Sequence, residues 1–133
     1  MTYDKGHPWY YHLGGRVLYP REIAHAAHAS GYKGWMERDI LSLAALPDPK
    51  RSSELRKLRE RVVDEYRRDV SRYRECAREL CRYRLKHPGP VEGRACDGVH
   101  VALSLKYCHL FNDFSHLILL DELLARQPDL FGS

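Results

Sequence analysis

The sequence predicts a mainly α-helical fold, a small helical domain with one long basic amphipathic helix and a short β-hairpin near its start. Between Arg51 and Lys86 there is neither Gly nor Pro, and apolar residues recur at helical spacing throughout. Near the other end, Leu117, Ile118, Leu119, Leu120, Leu123 and Leu124 occupy almost every direction around a helix. The runs that read most readily as paired strands flank one Gly-Gly turn close to the amino terminus. At 133 residues the chain suits a single domain, 1–133, able to bury a core without disulfides or metal. A hydrophobic fraction of 44% with 30% charged residues argues against extensive disorder.

Residues 9–19 place Trp9-Tyr10-Tyr11-His12-Leu13 and Arg16-Val17-Leu18-Tyr19 around Gly14-Gly15, the pattern of a hairpin whose aromatics need a helical surface to pack on. Pro20 then stands where a helix can begin. Arg21–Ser30 is alanine-rich, and Gly31 is a natural stop. From about Gly34 to Leu46, Met36, Ile40, Leu43 and Ala44 share one helix face, and Pro47-Asp48-Pro49 ends the element. Asp48 is placed to cap the next helix.

The long helix spans 51–86, with Leu55, Leu58, Val62, Tyr66, Val70, Tyr73, Ala77 and Leu80 stacked into one stripe. Such a rod is on the order of 50 Å long, whereas a domain of this size has a radius of gyration of about 14 Å. A kink, a dimer or a partner is therefore expected to take up the overhang. His87-Pro88-Gly89-Pro90 breaks the helix. In the carboxy-terminal region, about 97–126, residues 99–107 alternate like a strand yet also fit a helix behind Asp97, and helix is the preferred reading. The clearest part of that region begins near Asp113, and its leucines point to a central core position or an oligomer contact.

Charge is distributed unevenly. Residues 51–86 carry 13 basic and 7 acidic side chains, a net of +6, which leaves −2 for the rest of a chain of net charge +4. The amino terminus lacks the apolar core of a secretory signal and no apolar run reaches membrane-spanning length, so a cytoplasmic protein without a membrane partner is expected. Cys76, Cys81, Cys96 and Cys108 lack a tight CxxC spacing and are expected as reduced, mostly buried thiols.

Arginine and tyrosine interleave on the long helix at Tyr66-Arg67-Arg68, Arg72-Tyr73-Arg74 and Arg82-Tyr83-Arg84. Arginines neutralise phosphates and tyrosines stack on unpaired bases, so this composition suits a nucleic-acid surface. Against it, the tyrosines fall on or near the apolar stripe, and Asp64 with Arg68, Asp69 with Arg72 and Glu75 with Arg78 are spaced for ordinary solvated pairs. The expected function is a small non-enzymatic binding protein acting at nucleic acid or within a nucleoprotein assembly, with Arg67, Arg68, Arg72, Arg74, Arg78, Arg82 and Arg84 as contact residues. The alternative is an adaptor or inhibitor that docks on an acidic protein surface or forms a homodimer through its helices.

Two short segments resemble known families. Arg21-Glu22-Ile23-Ala24-His25-Ala26-Ala27-His28-Ala29-Ser30 resembles the first helix and turn of a helix-turn-helix DNA reader, which implies a recognition helix beginning at the serine. It departs from that pattern at His28, where the turn has Gly, and at Gly31 and Gly34. The spacings Arg82…His87 and Arg94…His100 resemble the Arg-His motif of the HEPN ribonucleases, which implies a ribonuclease as a third reading. There Pro88 directly follows His87, and 8 histidines in an arginine-rich chain make such spacings frequent by chance.

The pairs His25/His28 and Cys96/His100 have the spacing to chelate a metal from one helix face, but neither matches a zinc-finger pattern, and His109 and His116 suit a hydrogen-bonded helix surface. No cofactor or metal is expected. No GxxxxGK[ST], HExxH, GxSxG or His-Asp motif is present, and the adjacency of Cys108 and His109 does not make a nucleophile and base.

Overall fold

The computed structural model describes residues 17–86 and 98–126. These form four helices, α1 (Pro20–Ser30), α2 (Glu37–Ala44), α3 (Lys50–Lys86) and α4 (Gly98–Ala125), and no strand occurs among them. The hairpin expected over 9–19 lies outside the described residues, apart from its last three.

Local chemistry sets the helix ends. Pro20 opens α1, the Glu22 carboxylate accepts a 3.0 Å hydrogen bond from the Tyr19 N–H, and Gly31 closes the helix at φ 73°. Glu37 and Asp39 favour the amino-terminal dipole of α2. At the start of α3 the Asp48 carboxylate accepts from both the backbone N–H and the hydroxyl of Ser52, at 3.2 and 2.8 Å, filling the capping role its position implies. Residues 31–36 contain no helix and α2 begins only at Glu37, so the recognition helix implied at Ser30 is absent.

α3 and α4 run antiparallel, as the Arg59–Asp121 ion pair and the Tyr66–Phe114 ring contact at 5.1 Å require. At about 1.5 Å per residue they are roughly 55 and 42 Å long, so α4 backs most of the rod from within the same chain. Residues 99–110 are helical and continuous with the leucine-rich end. An isolated strand there would leave its backbone groups unpaired, whereas the helix satisfies them internally.

α4 is apolar in every direction because it has neighbours on several sides: α3, α1 and α2 all pack on it. Two apolar clusters result. Ile23, Ala26 and Ala27 of α1 meet Tyr73 and Leu80 of α3 and Leu103, Tyr107, Leu110 and Phe111 of α4. Ile40 of α2 meets Leu55, Leu58 and Val62 of α3 and Leu119, Leu120 and Leu123 of α4. Each fully buried Leu or Ile contributes about 1.5–3 kcal/mol. Between the clusters α4 changes character, with Asn112, Asp113, Ser115 and His116 all buried.

Candidate nucleic-acid interface

At about 100° per residue, Arg74, Arg67, Arg78 and Arg82 fall within a sector of roughly 80° on the side of α3 opposite its buried stripe. All four are exposed. Arg68, also exposed, lies about 40° beyond Arg82 and borders that sector, and exposed Arg72 lies about 40° further round, toward Asp69. Arg84 belongs to α3, but its side chain is not among those described.

Three of the seven arginines have acidic partners one turn away: Arg67 with Asp64 at 3.7 Å, Arg68 with Glu65 at 2.7 Å and Arg72 with Asp69 at 3.7 Å. The Arg68 hydrogen bond, joined by the charges of Arg72 and His109, holds the Glu65 carboxyl below the usual range. Arg74, Arg78 and Arg82 form no ion pair among the described residues, and Arg82 reaches only the Arg78 carbonyl. The expected Glu75–Arg78 pair does not form. Like charges four residues apart cost an isolated helix about 0.2–0.5 kcal/mol per pair. The carboxy-terminal dipole favours Arg82 and Lys86, but its influence ends within about one turn and does not extend to Arg74 or Arg78.

The tyrosines of the helix are not presented with the arginines. Tyr73 is buried and donates a 2.6 Å hydrogen bond to the Leu18 carbonyl; burial pushes its hydroxyl pKa well above the ordinary range. Tyr66 packs half-buried on Phe114, and Tyr83 is half-buried beside the first cluster. Aromatic stacking cannot come from this face.

The buried polar layer is a feature of the fold that spacing does not reveal. Asp69 is 1% exposed and Asp113 5% exposed, and the two carboxyls face each other across the α3–α4 seam, where they can share a hydrogen bond once one of them is protonated; Asp69 Oδ1 and Asp113 Oδ2 are buried without a hydrogen-bond partner. Burial first, then that bond and the Asp69 and Glu65 charges, raise the Asp113 pKa to about 9. His116, expected on the surface, is 2% exposed; its Nε2 accepts the Met36 N–H at 3.1 Å, while Asn112 Oδ1 accepts the Trp35 N–H at 3.2 Å. Burial lowers the His116 pKa to about 4, keeping that nitrogen an acceptor.

These two bonds hold the 34–36 turn against α4. Gly34 has φ 87°, and a Cβ added there would lie 2.1 Å from the His116 ring. Gly34→Ala is therefore expected to cost about 2–4 kcal/mol in urea unfolding, from left-handed strain plus overpacking. Gly31→Ala, at φ 73° with nothing within 4 Å, bears the strain alone and should cost about 1–2 kcal/mol.

Arg51 is buried rather than part of the solvent-facing charge. Its guanidinium donates to the carbonyls of Ala44, Leu123 and Arg126, fastening the ends of α2 and α4 to the start of α3. A cation is favourable there because helix carboxy-termini present unpaired carbonyls.

His25 and His28 are exposed on α1, and no three His, Cys, Asp or Glu side chains group to hold a metal among the described residues. Cys81 is exposed and Cys76 and Cys108 are half-buried, so the expectation of mostly buried thiols does not hold for these three. His87 and Arg94 lie outside the described residues, as does the side chain of His100. No helix among the described residues is long and apolar enough to cross a membrane.

No family model, curated protein or solved structure matches the chain. The functional reading accordingly rests on its own residues.

Proposed function

We propose that the protein binds nucleic acid, directly or within a nucleoprotein assembly, through the exposed arginines of α3. One observation carries the reading: Arg74, Arg78 and Arg82 form a row about 12 Å long, four residues apart, with no acidic partner among the described residues. Exposed Glu75 and Glu79 lie within one turn of the row, yet neither closes an ion pair with it, so the three guanidinium groups keep donors open to a phosphate. A phosphate backbone supplies the missing anions and releases its counterions on binding. Arg67, Arg68, Arg72 and Arg84 complete the basic helix; the first three bring acidic neighbours, so a phosphate must compete for them.

The test is binding to labelled single- and double-stranded DNA and RNA across a salt series. The triple variant Arg74→Glu/Arg78→Glu/Arg82→Glu is expected to weaken binding at least a hundredfold at low salt and to reduce the slope of log K against log salt by about two or three. Unchanged affinity would reject the reading. The alternative, a protein partner with an acidic surface or a second copy, is favoured by one feature, the 84% exposure of Leu85 at the end of α3. On that reading Leu85→Asp removes the association, and charge reversal mainly slows it.

A further inference from the structure

Trp35 is 61% exposed, yet it is among the more firmly positioned residues of the inter-helix turn. Its own N–H and that of Met36 are taken by Asn112 and His116, two buried polar side chains on rigid α4. Its ring is nearly perpendicular to that of His109, with centroids 6.0 Å apart and 88° between planes, and steeply inclined to that of His116, at 5.9 Å and 68°. The buried amide and imidazole are hydrogen-bonded, and together they fix a turn that shows an indole to solvent. It is the arrangement a stacking surface needs, because a flat ring held in place loses little freedom when a second ring lies on it.

The surroundings indicate which ring. His109 is exposed and lies between Trp35 and the flank of α3, where its charge is felt by Glu65, the partner of Arg68. Arg68 and Arg72 share that flank, four residues apart. Each is paired with an acid, Glu65 and Asp69, that a phosphate must displace; a polyanion that does so lies beside His109 and within reach of the indole, and the tyrosines of α3, packed inward, offer no competing surface.

We propose that Trp35 is a stacking platform for an unpaired base of single-stranded nucleic acid whose backbone tracks the Arg68–Arg72 flank of α3. This rests on the nucleic-acid reading of α3 and narrows it to single strands, since a paired base has no free face to offer. Affinity then comes from the phosphates and strand selectivity from the indole.

The chain has two tryptophans, so Trp9→Phe leaves Trp35 as the single indole reporter. Oligo(U) and oligo(dT) are expected to quench its fluorescence, and a duplex of equal length is not. Trp35→Ala should lower single-strand affinity about tenfold or more with an unaltered salt slope, while Trp35→Phe, which keeps a ring, retains most of it. Circular dichroism and melting of both variants check the fold, and the quenching of the unsubstituted indole gives a readout independent of them. Salt-dependent binding that is unaffected by Trp35→Ala, or equal quenching by the duplex, would overturn the platform and leave the arginine reading standing. Absence of binding to any of these oligonucleotides at low salt would overturn both, and loss of a protein contact alone in Trp35→Ala would assign the indole to a protein partner instead.

Discussion

Leu120→Asp is expected to unfold the protein. Leu120 is fully buried among Ile40, Leu55, Leu58 and Val62, where truncation of a leucine alone costs about 2–5 kcal/mol. An aspartate adds the penalty of a carboxyl with no partner in an apolar cluster, and the total approaches the roughly 5–15 kcal/mol that stabilises a whole domain. Far-UV circular dichroism at 25 °C should show the loss directly. Leu105→Asp is the control: Leu105 lies on the same helix but is exposed, so its melting temperature should stay close to the parent value. If Leu120→Asp folded normally and lost only a self-association, the leucine-rich end of α4 would be an interface and the four-helix packing wrong.

That contrast shows what hydrophobic spacing can convey. On α3 the eight stripe positions, from Leu55 to Leu80, are buried or half-buried as the three-and-four spacing requires, because the neighbours of the helix all lie on one side of it. On α4 the spacing carries little direction. Apolar residues surround the helix since α1, α2 and α3 pack on it together, and a pattern without a polar face resembles a strand, a buried helix or an oligomer surface equally well. Tertiary packing decides between them, and it is not a property of any local window.

The polar positions are less legible, for a related reason. The charge of Asp69 suggests a solvated partner for Arg72, although the residue stands three after Tyr66 and four before Tyr73 and so continues the buried stripe. Spacing alone finds it; charge argues the other way. Asn112 and His116 give no such hint, because their partners are backbone N–H groups some 80 residues distant, at Trp35 and Met36. Trp35 itself falls outside the Met36–Ile40–Leu43 face of α2, a sign of exposure that composition overlooks. Of the seven arginines, sequence marks the basic helix but cannot separate Arg74, Arg78 and Arg82 from those that structure pairs with acids.

Asp113→Asn is expected to stabilise the fold, increasingly so as pH rises. In the folded chain Asp113 faces Asp69 across the seam, with Glu65 adding a like charge and Arg72 lying 3.7 Å from Asp69. Its pKa is raised from 3.8 to about 9, so between these values the folded chain holds a proton that the unfolded chain releases. The contribution is therefore fully present below about pH 4 and is lost as pH climbs toward 9, with a slope of at most about 1.4 kcal/mol per pH unit for one proton. Asparagine keeps a donor for Asp69 and has no proton to lose, so it removes the slope together with the charge conflict. Urea unfolding at pH 5, 7 and 9 should show parent and variant closest at pH 5 and diverging above it, the variant becoming the more stable as pH rises. Parallel curves would mean that Asp113 ionises at an ordinary pH and that water reaches the seam; the reverse order would mean that the ionised Asp113 carboxylate itself helps to join α3 to α4.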